Sequence, residues 1–321
     1  MVKPSRLASH FAYVAFLALA AFDAPAQVND VGTGWRPSDW GKDDRLGALN
    51  RLTPATTVSA FRLVRDGGVY ELAHPLEPGV PAIAGRTFEL TINSGGPLGS
   101  NQVVYHDDTV VANLGHIGTH LDALGHVGTR VLDRDVYFNG LDASEFATEE
   151  GLKELGIATV GPIITRGVLI DVARQKAVDR LEPGHVITAA ELREALAGEQ
   201  VRLHEGDAVL VRTGYGALWM IDNAEYSRNY PGIGAEAAEW LVGQGIVLVG
   251  SDNLSVHIRG ESPNQPFALH QFFLAHHGVY LLENLNLEHL SADRVHEFAF
   301  IFAPLKIKGG TGSPGTPIAL R

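Results

Sequence analysis

The stretch His116-Ile-Gly-Thr-His-Leu-Asp-Ala-Leu-Gly-His126 decides how this chain is organised. Its eleven residues hold four side chains that can bind or serve a metal ion, namely His116, His120, Asp122 and His126. Imidazole nitrogens with one carboxylate suit Zn²⁺, Mn²⁺ or Fe²⁺, and the absence of cysteine argues against a closed structural zinc site. Three ligands would leave room for water, whose pKa such an ion lowers. The stretch therefore predicts the open metal site of a hydrolase.

Glycine spacing decides the local conformation of this stretch. Gly115, Gly118 and Gly125 disfavour a regular helix. His120 and Asp122 are two residues apart, which places them on one face of a strand. We therefore predict a turn that leads into a short extended piece, with the ligands at the end of a buried strand.

The pattern His-Xaa-Gly-Thr-His-Xaa-Asp-Xaa-Xaa-Xaa-His resembles the signature of the cyclase family of metal-dependent hydrolases, which includes kynurenine formamidase and isatin hydrolase. Residues 40–53, 283–285 and 304–314 also resemble members of that family. The resemblance implies an α/β chain with the swivelling β/β/α fold and a mixed sheet, assembled as dimers or tetramers. It also implies that His116, His120 and Asp122 bind the metal and that His126 is the general acid/base.

The second arm of the site is predicted between residues 267 and 287. In kynurenine formamidases, a histidine and a glutamate twelve residues apart complete a two-zinc centre, and Glu283 resembles that glutamate. Counting back twelve residues from Glu283 reaches Gln271, whereas His270 lies thirteen residues back. This sequence therefore departs from the two-zinc pattern or contains a one-residue shift. We favour one Mn²⁺ or Zn²⁺ with Gln271 near it, and the alternative is a two-metal centre that uses His270 and Glu283.

These residues predict hydrolysis of a C–N bond in an amide, arylformamide or lactam. Metal-activated water would attack the carbonyl, and His126 would take its proton and return it to the leaving nitrogen, because the imidazole pKa lies near neutrality. An ester or lactone hydrolase could use the same centre. A non-catalytic exported metal-binding protein is the second alternative.

Composition limits the other function classes. The chain has 321 residues, 45% of them hydrophobic, and a formal net charge of −12. Its 25 basic residues are scattered, so we expect no nucleic-acid partner. The family resemblance instead implies a small substrate, an aromatic or cyclic amide. Alternating strand and helix patterns predict a single α/β domain with a mixed sheet.

Residues 1–26 have the pattern of a secretory signal peptide. Lys3 and Arg6 form a basic start, an apolar run follows, and Ala24-Pro25-Ala26 fits the small-residue cleavage rule. We therefore expect an exported protein, periplasmic or secreted, with no stable membrane span after processing; an uncleaved anchor is the alternative. Residues 27–52 are predicted to form an N-terminal arm and residues 53–321 the hydrolase domain.

Two aromatic side chains of the arm, Trp35 and Trp40, are candidates to bind substrate, because an aromatic side chain on a loop can wall an aromatic pocket. Packing of the arm onto the domain explains them equally well.

Local patterns predict several elements outside the metal motif. Helices are expected from Thr53 to residue 64, over residues 142–155, and from Thr188 to about residue 196. Strands are expected over residues 207–213, 245–251 and 279–282, the last of which leads into Glu283. The glycine-rich residues 309–313 lack the Gly-Lys-Ser/Thr ending of a phosphate loop, so we reject that interpretation.

Overall fold

A nine-stranded mixed sheet runs through the centre of the molecule, in the order β1-β17-β15-β9-β11-β13-β14-β4-β16. The computed structural model describes residues 37–83, 85–258 and 265–321. In chain order, the strands are β1 (Val69–Glu71), β2 (Phe88–Leu98), β3 (Val103–Ala112), β4 (His120–Asp122), β5 (Thr129–Val131), β6 (Arg134–Val136), β7 (Ala147–Thr148), β8 (Gly151–Leu152), β9 (Ile163–Asp171), β10 (Val186–Ile187), β11 (Ala208–Arg212), β12 (Gly232–Ile233), β13 (Leu248–Ser251), β14 (Tyr280–Glu283), β15 (Glu297–Phe302), β16 (Gly312–Pro314) and β17 (Ile318–Leu320).

Four parallel strands, β9, β11, β13 and β14, form the middle of this sheet, and antiparallel strands extend it on both sides. All five residues of β11 are buried, because strands covered on both faces are continuously apolar. The carboxyl ends of the parallel strands meet at one edge, where open α/β sheets place their ligands. The predicted mixed α/β fold with a single domain is confirmed.

Helices and short helical turns connect the strands of the sheet. The α-helices are α1 (Pro54–Phe61), α2 (Ala143–Phe146), α3 (Val172–Gln175), α4 (Ala189–Gly198), α5 (Asn223–Arg228), α6 (Ala235–Gly243), α7 (Ala268–His270) and α8 (Glu288–Ala292). A π-helix spans Gln271–His276, and 3-10 turns span Gly47–Arg51, Leu114–His116, Phe138–Gly140, Ile157–Thr159 and Tyr215–Leu218.

Helix starts followed their sequence signals. Thr53 and Thr188 each accept a hydrogen bond from the backbone N–H three residues later in a capping box, which confirms the predicted starts of α1 and α4. The helix predicted over residues 142–155 is wrong. Only α2 is helical there, and the short strands β7 and β8 follow it, because Gly151 at φ +129° supports a tight turn that a helix cannot contain.

Strands β2 and β3 form a long hairpin that pairs with neither the nine-stranded sheet nor any other strand of the described residues. Most of its side chains are exposed on both faces. The hairpin leads directly into the 3-10 turn that ends at His116.

Among the described residues, no helix is long and apolar enough to span a membrane. Residues 1–36, which contain the predicted signal peptide and the start of the arm, lie outside the described residues. The remainder of the arm packs on the body of the protein, where Ala48 is fully buried and its backbone N–H donates to the carbonyl of Gly278.

Candidate metal centre

Two neighbouring strands bring the first candidate ligands together. β4 carries His120 and Asp122, and its antiparallel partner β14 ends with Glu283 directly opposite His120. All three side chains are at least 97% buried. The turn and short buried strand predicted for the motif are therefore the observed conformation.

His116 is held at both ring nitrogens. Its Nδ1 lies 2.8 Å from Oδ1 of Asp122, and its Nε2 lies 2.8 Å from the hydroxyl of Thr311. Thr311 comes from the glycine-rich tail, where Gly312 pairs with Asp122 across β16 and β4. A Cβ at Gly312 would lie 2.5 Å from the carbonyl oxygen of Gly115, so only glycine allows this approach.

His120 has one nitrogen committed to the backbone and one facing the carboxylates. Its Nδ1 donates to the carbonyl of Gly118 at 2.8 Å. Its Nε2 lies 3.4 Å from Oδ1 of Asp122 and 3.6 Å from Oε2 of Glu283. Anchoring of one ring nitrogen while the other points into a polar cluster is the arrangement found for histidines that bind metals.

His270, one of the two candidates of the second arm, lies in the same cluster. Its Nε2 is 3.4 Å from Oδ2 of Asp122 and 3.4 Å from Oε1 of Glu283. Gln271 instead donates its side-chain N–H to the carbonyl of Gly128 at 3.0 Å. The structure thus brings His270, rather than Gln271, into contact with both acids.

The π-helix that begins at Gln271 gives a physical reason for this register. A π turn bonds residue i to i+5, so it holds about one residue more than an α turn. It lies between His270 and Glu283, where the sequence has one residue more than the two-zinc spacing. The one-residue shift left open by the sequence therefore fits the local geometry.

Asp122 and Glu283 each present one oxygen towards His120 and the other towards His270. Oδ2 of Asp122 is buried and has no hydrogen-bond partner among the described residues. Burial alone would raise the pKa of Asp122, but its interactions with the four surrounding histidines hold it well below its usual range. Burial raises the pKa of Glu283, and the negative charge of Asp122 raises it further. Two buried acids so close together favour a cation between them.

His126 lies against His116, one of the candidate ligands. Its ring stacks on that of His116 with centroids 3.8 Å apart. One ring nitrogen lies within 4.8 Å of ligand atoms of Asp122 and His270. Burial lowers the pKa of His126 to about 3, with further lowering by neighbouring histidines, so the ring is neutral at physiological pH.

Two more histidines lie against the cluster or the segment before His120, and the sequence motifs did not single them out. The ring of His257 packs edge-on against His270 at 5.0 Å. His74 stacks on Trp219 at 4.5 Å, beside an apolar cluster that includes Ile117 and Tyr226. Both histidines come from strands and loops far apart in the chain, so only folding brings them near the motif.

The two tryptophans predicted to bind substrate have different outcomes. Trp35 lies outside the described residues. Trp40 packs under the guanidinium of Arg51, which pairs with Glu205 just before β11. Glu283 lies at the carboxyl end of the parallel strands, whereas Glu205 lies at their amino end. Within one chain, Trp40 and the metal centre are therefore at opposite ends of these strands. The role of Trp40 in binding substrate stays a prediction.

The donor set fits a divalent metal ion. Two histidines have their second nitrogens anchored, and Oδ2 of Asp122 is buried without a hydrogen-bond partner. Neither Asp122 nor Glu283 forms an ion pair with a lysine or arginine among the described residues, so a cation would balance their negative charge. The fold and this centre together define a metal-dependent hydrolase.

The chain belongs to the cyclase family, because the model described as "Putative cyclase" matches residues 70–257, more than half of the chain. Cyclase-like protein 1 of Arabidopsis thaliana is 28% identical over 268 residues, which cover 81% of this chain and 88% of the relative. The isatin hydrolase of Roseibium aggregatum is 28% identical over 211 residues, covering 64% of this chain and 71% of that enzyme. A crystal structure of a novel cyclase superposes with a TM-score of 0.80 at 30% identity, covering 88% of this chain and 96% of the other.

Proposed function

We propose that this protein hydrolyses a C–N bond in an amide, arylformamide or lactam of a small aromatic or cyclic substrate. The observation that carries the proposal is the pair Asp122 and Glu283, each spanning His120 and His270, with neutral His126 beside them. The relative named isatin hydrolase supports this substrate class. The stacked His74 and Trp219 next to the site support an aromatic substrate.

His116, His120 and Asp122 would hold one divalent ion, and His270 with Glu283 would complete a second position that shares Asp122. Bound there, Zn²⁺ or Mn²⁺ supplies Lewis-acid polarisation of a carbonyl and lowers the pKa of water. We favour two ions because both acids present one oxygen to each side. The single-ion alternative would take the side-chain oxygen of Gln271 as a ligand, although the nitrogen of that amide is bound to Gly128.

His126 is the proposed proton carrier. Its neutral ring can accept a proton from the attacking water, and the same nitrogen can return the proton to the leaving nitrogen. Stacking on His116 fixes the plane of the ring without occupying its nitrogens. Such positioned acid/base catalysis contributes about 10²- to 10⁴-fold to the rate.

The direct test measures metal content and substrate range together. Purified protein is analysed for metal, then assayed on N-formylkynurenine, isatin and matched aryl ester and lactone substrates, after chelation and after Zn²⁺ or Mn²⁺ is restored. Two ions per chain with metal-dependent amide or lactam hydrolysis supports the proposal. One ion per chain would favour the single-ion site with Gln271 as a ligand. Activity on esters or lactones alone would replace the assignment of C–N bond hydrolysis. Bound metal without any activity would favour the non-catalytic alternative.

We further propose that the chain forms a homo-oligomer in which the β2–β3 hairpin docks on a second copy. One face of the hairpin carries a stripe of exposed apolar side chains that includes Leu90, Ile92 and Val110. A two-stranded hairpin is marginal on its own. Ten residues per strand give a hairpin about 33 Å long and about 10 Å wide. Burying both faces of both copies removes about 1,300 Å², the size of a stable interface.

Light scattering tests this assembly. The wild-type chain should be a dimer or larger, and Ile92→Lys with Val110→Lys should shift it to a monomer with unchanged circular dichroism. A monomeric wild-type protein at micromolar concentration would contradict the proposal.

Export is proposed from the N-terminal sequence alone. The basic start, apolar run and Ala-Pro-Ala site support cleavage after residue 26. Mass spectrometry of protein expressed in a bacterial host should give a mature chain that begins at Gln27. An intact N-terminus in the membrane fraction would indicate an uncleaved anchor instead.

A further inference from the structure

Asn284 follows Glu283 directly and is 2% exposed. Its backbone has φ +58°, in the left-handed region, which asparagine tolerates better than most residues with a Cβ. The regular pairing of β14 with β4 ends at the pair of Glu283 and His120. The left-handed turn at Asn284 then replaces the next step of the ladder.

All four polar groups of Asn284 have partners. Its N–H donates to the carbonyl of Asn253 at 2.9 Å, and its side-chain oxygen accepts from the hydroxyl of Tyr226 at 2.8 Å. Its carbonyl accepts from the hydroxyl of Thr119 at 2.5 Å, and its side-chain N–H donates to the carbonyl of Gly118 at 2.9 Å. Two of the four bonds therefore end on the two residues directly before His120.

The carbonyl of Gly118 is the meeting point of this arrangement. It accepts from Nδ1 of His120 at 2.8 Å and from Asn284 at 2.9 Å. Because Asn284 fixes the direction of this carbonyl, the His120 ring is held with Nδ1 on the backbone and Nε2 towards Asp122 and Glu283. A partner on the second ring nitrogen sets the orientation and basicity of a histidine ligand.

We propose that Asn284 is a positioning residue for the metal centre, which acts through Gly118 to orient His120 as a ligand. The inference rests on the proposed function, because it assumes that His120 binds a metal ion. Asn284 also joins the end of the Glu283 strand to the start of the His120 strand. It therefore fixes the separation of two ligands that come from distant parts of the chain.

The test uses Asn284→Asp, which keeps the size and the tolerance of the left-handed backbone but places an oxygen against the Gly118 carbonyl. The Kd for Zn²⁺, measured by chelator competition, should rise by about 10- to 100-fold. In Zn²⁺-loaded protein labelled with ¹⁵N-histidine, the Nδ1–H signal of His120 should exchange faster with water than in the wild type. Asn284→Gly, which also accepts the positive φ, should weaken Zn²⁺ binding similarly if the Asp variant does not fold.

Asn253→Asp is the matched control. Asn253 is fully buried in the same region, but its side chain bonds Pro231 and Thr213 rather than the segment before His120. Its Kd for Zn²⁺ should stay within about threefold of the wild type, since its bonds lie outside the shell around the ligands. Equal effects of the two variants, or an unchanged Kd and Nδ1–H signal in both Asn284 variants, overturn the inference. A wild-type protein that binds no Zn²⁺ or Mn²⁺ overturns the proposed function instead.

Discussion

Two buried clusters of charged side chains lie on the side of the sheet where the parallel strands β9, β11 and β14 end, and their charges are balanced in opposite ways. In the first, Arg212 at the end of β11 bonds Asp171 at the end of β9 at 3.0 Å and Glu288 through two nitrogens. In the second, the only ion-pair partners of Asp122 and Glu283 among the described residues are histidines.

The pKa directions express this difference. Burial alone would lower the pKa of Arg212, but Glu288 and Asp171 raise it, so the guanidinium stays charged and satisfies its acids. In the second cluster burial would raise the pKa of both acids, but the histidines lower that of Asp122, whereas burial and the charge of Asp122 leave that of Glu283 raised. A buried acid paired with arginine is part of the scaffold, and a buried acid paired with histidines is a place for a metal ion.

The largest expected effect is the loss of activity when histidines of the second cluster are removed. His120→Ala should lose both bound metal and activity, because it removes a ligand. His126→Ala should keep the metal and lose about 10²- to 10⁴-fold in kcat, because it removes the proton carrier. Metal analysis and steady-state kinetics on each variant check this division. Activity of metal-free His120→Ala would remove the metal-dependent mechanism.

Breaking the first cluster should affect stability rather than metal. Arg212→Met removes the buried arginine partner of Asp171 and leaves only the partly exposed Arg174 to pair with it, so the free energy of unfolding should fall by about 3–5 kcal/mol. Its metal content should not change. Urea unfolding measures the effect, with Arg228→Met as the control, because Arg228 is an exposed partner of Glu225 and should cost under about 1 kcal/mol. Similar losses in both variants would refute the contrast.

Metal should stabilise the second cluster. At a free Zn²⁺ concentration about 100 times the Kd, the wild-type free energy of unfolding should rise by about 2.7 kcal/mol. Asp122→Asn should show no such rise, because it removes the acid shared by both sets of ligands. Thermal unfolding with and without the ion checks this. Equal metal-linked stabilisation of the variant would place the ion elsewhere.

The smallest expected effect is on the pH dependence of the free energy of unfolding, through the buried, neutral His74. Burial lowers its pKa from 6.5 to about 4. Between pH 4 and 6.5 the unfolded chain binds more protons at His74 than the folded chain does. The stability that comes from keeping His74 neutral is therefore complete above pH 6.5 and is lost as the pH falls towards 4. The slope attributable to His74 is at most about 1.4 kcal/mol per pH unit. His74→Phe keeps an aromatic ring against Trp219 and should lack that slope in denaturant unfolding. Identical pH profiles for the two proteins would contradict this cause.

Local sequence signals predicted much of the fold. Threonine caps marked the starts of α1 and α4, and continuous apolar runs marked β11, β13 and β14. The prediction failed at residues 142–155, where an apolar pattern resembled a helix but tight turns and two short strands formed instead. Periodicity alone could not exclude this, because a short apolar run is compatible with either a short strand or a helical segment.

The sequence by itself determined the metal motif, because His116, His120, Asp122 and His126 lie within eleven residues and a local turn suffices to gather them. Only the tertiary structure decided which group of the second arm approaches them, because the register of His270 depends on the π-helix before β14. Tertiary structure also decided the roles of Thr311, which bonds His116 across 195 residues of sequence, and of Asn284, which bonds Gly118 across 166. Strand pairing is non-local, so no window of sequence contains it, whereas the spacing of ligands on one short segment is written in the sequence directly.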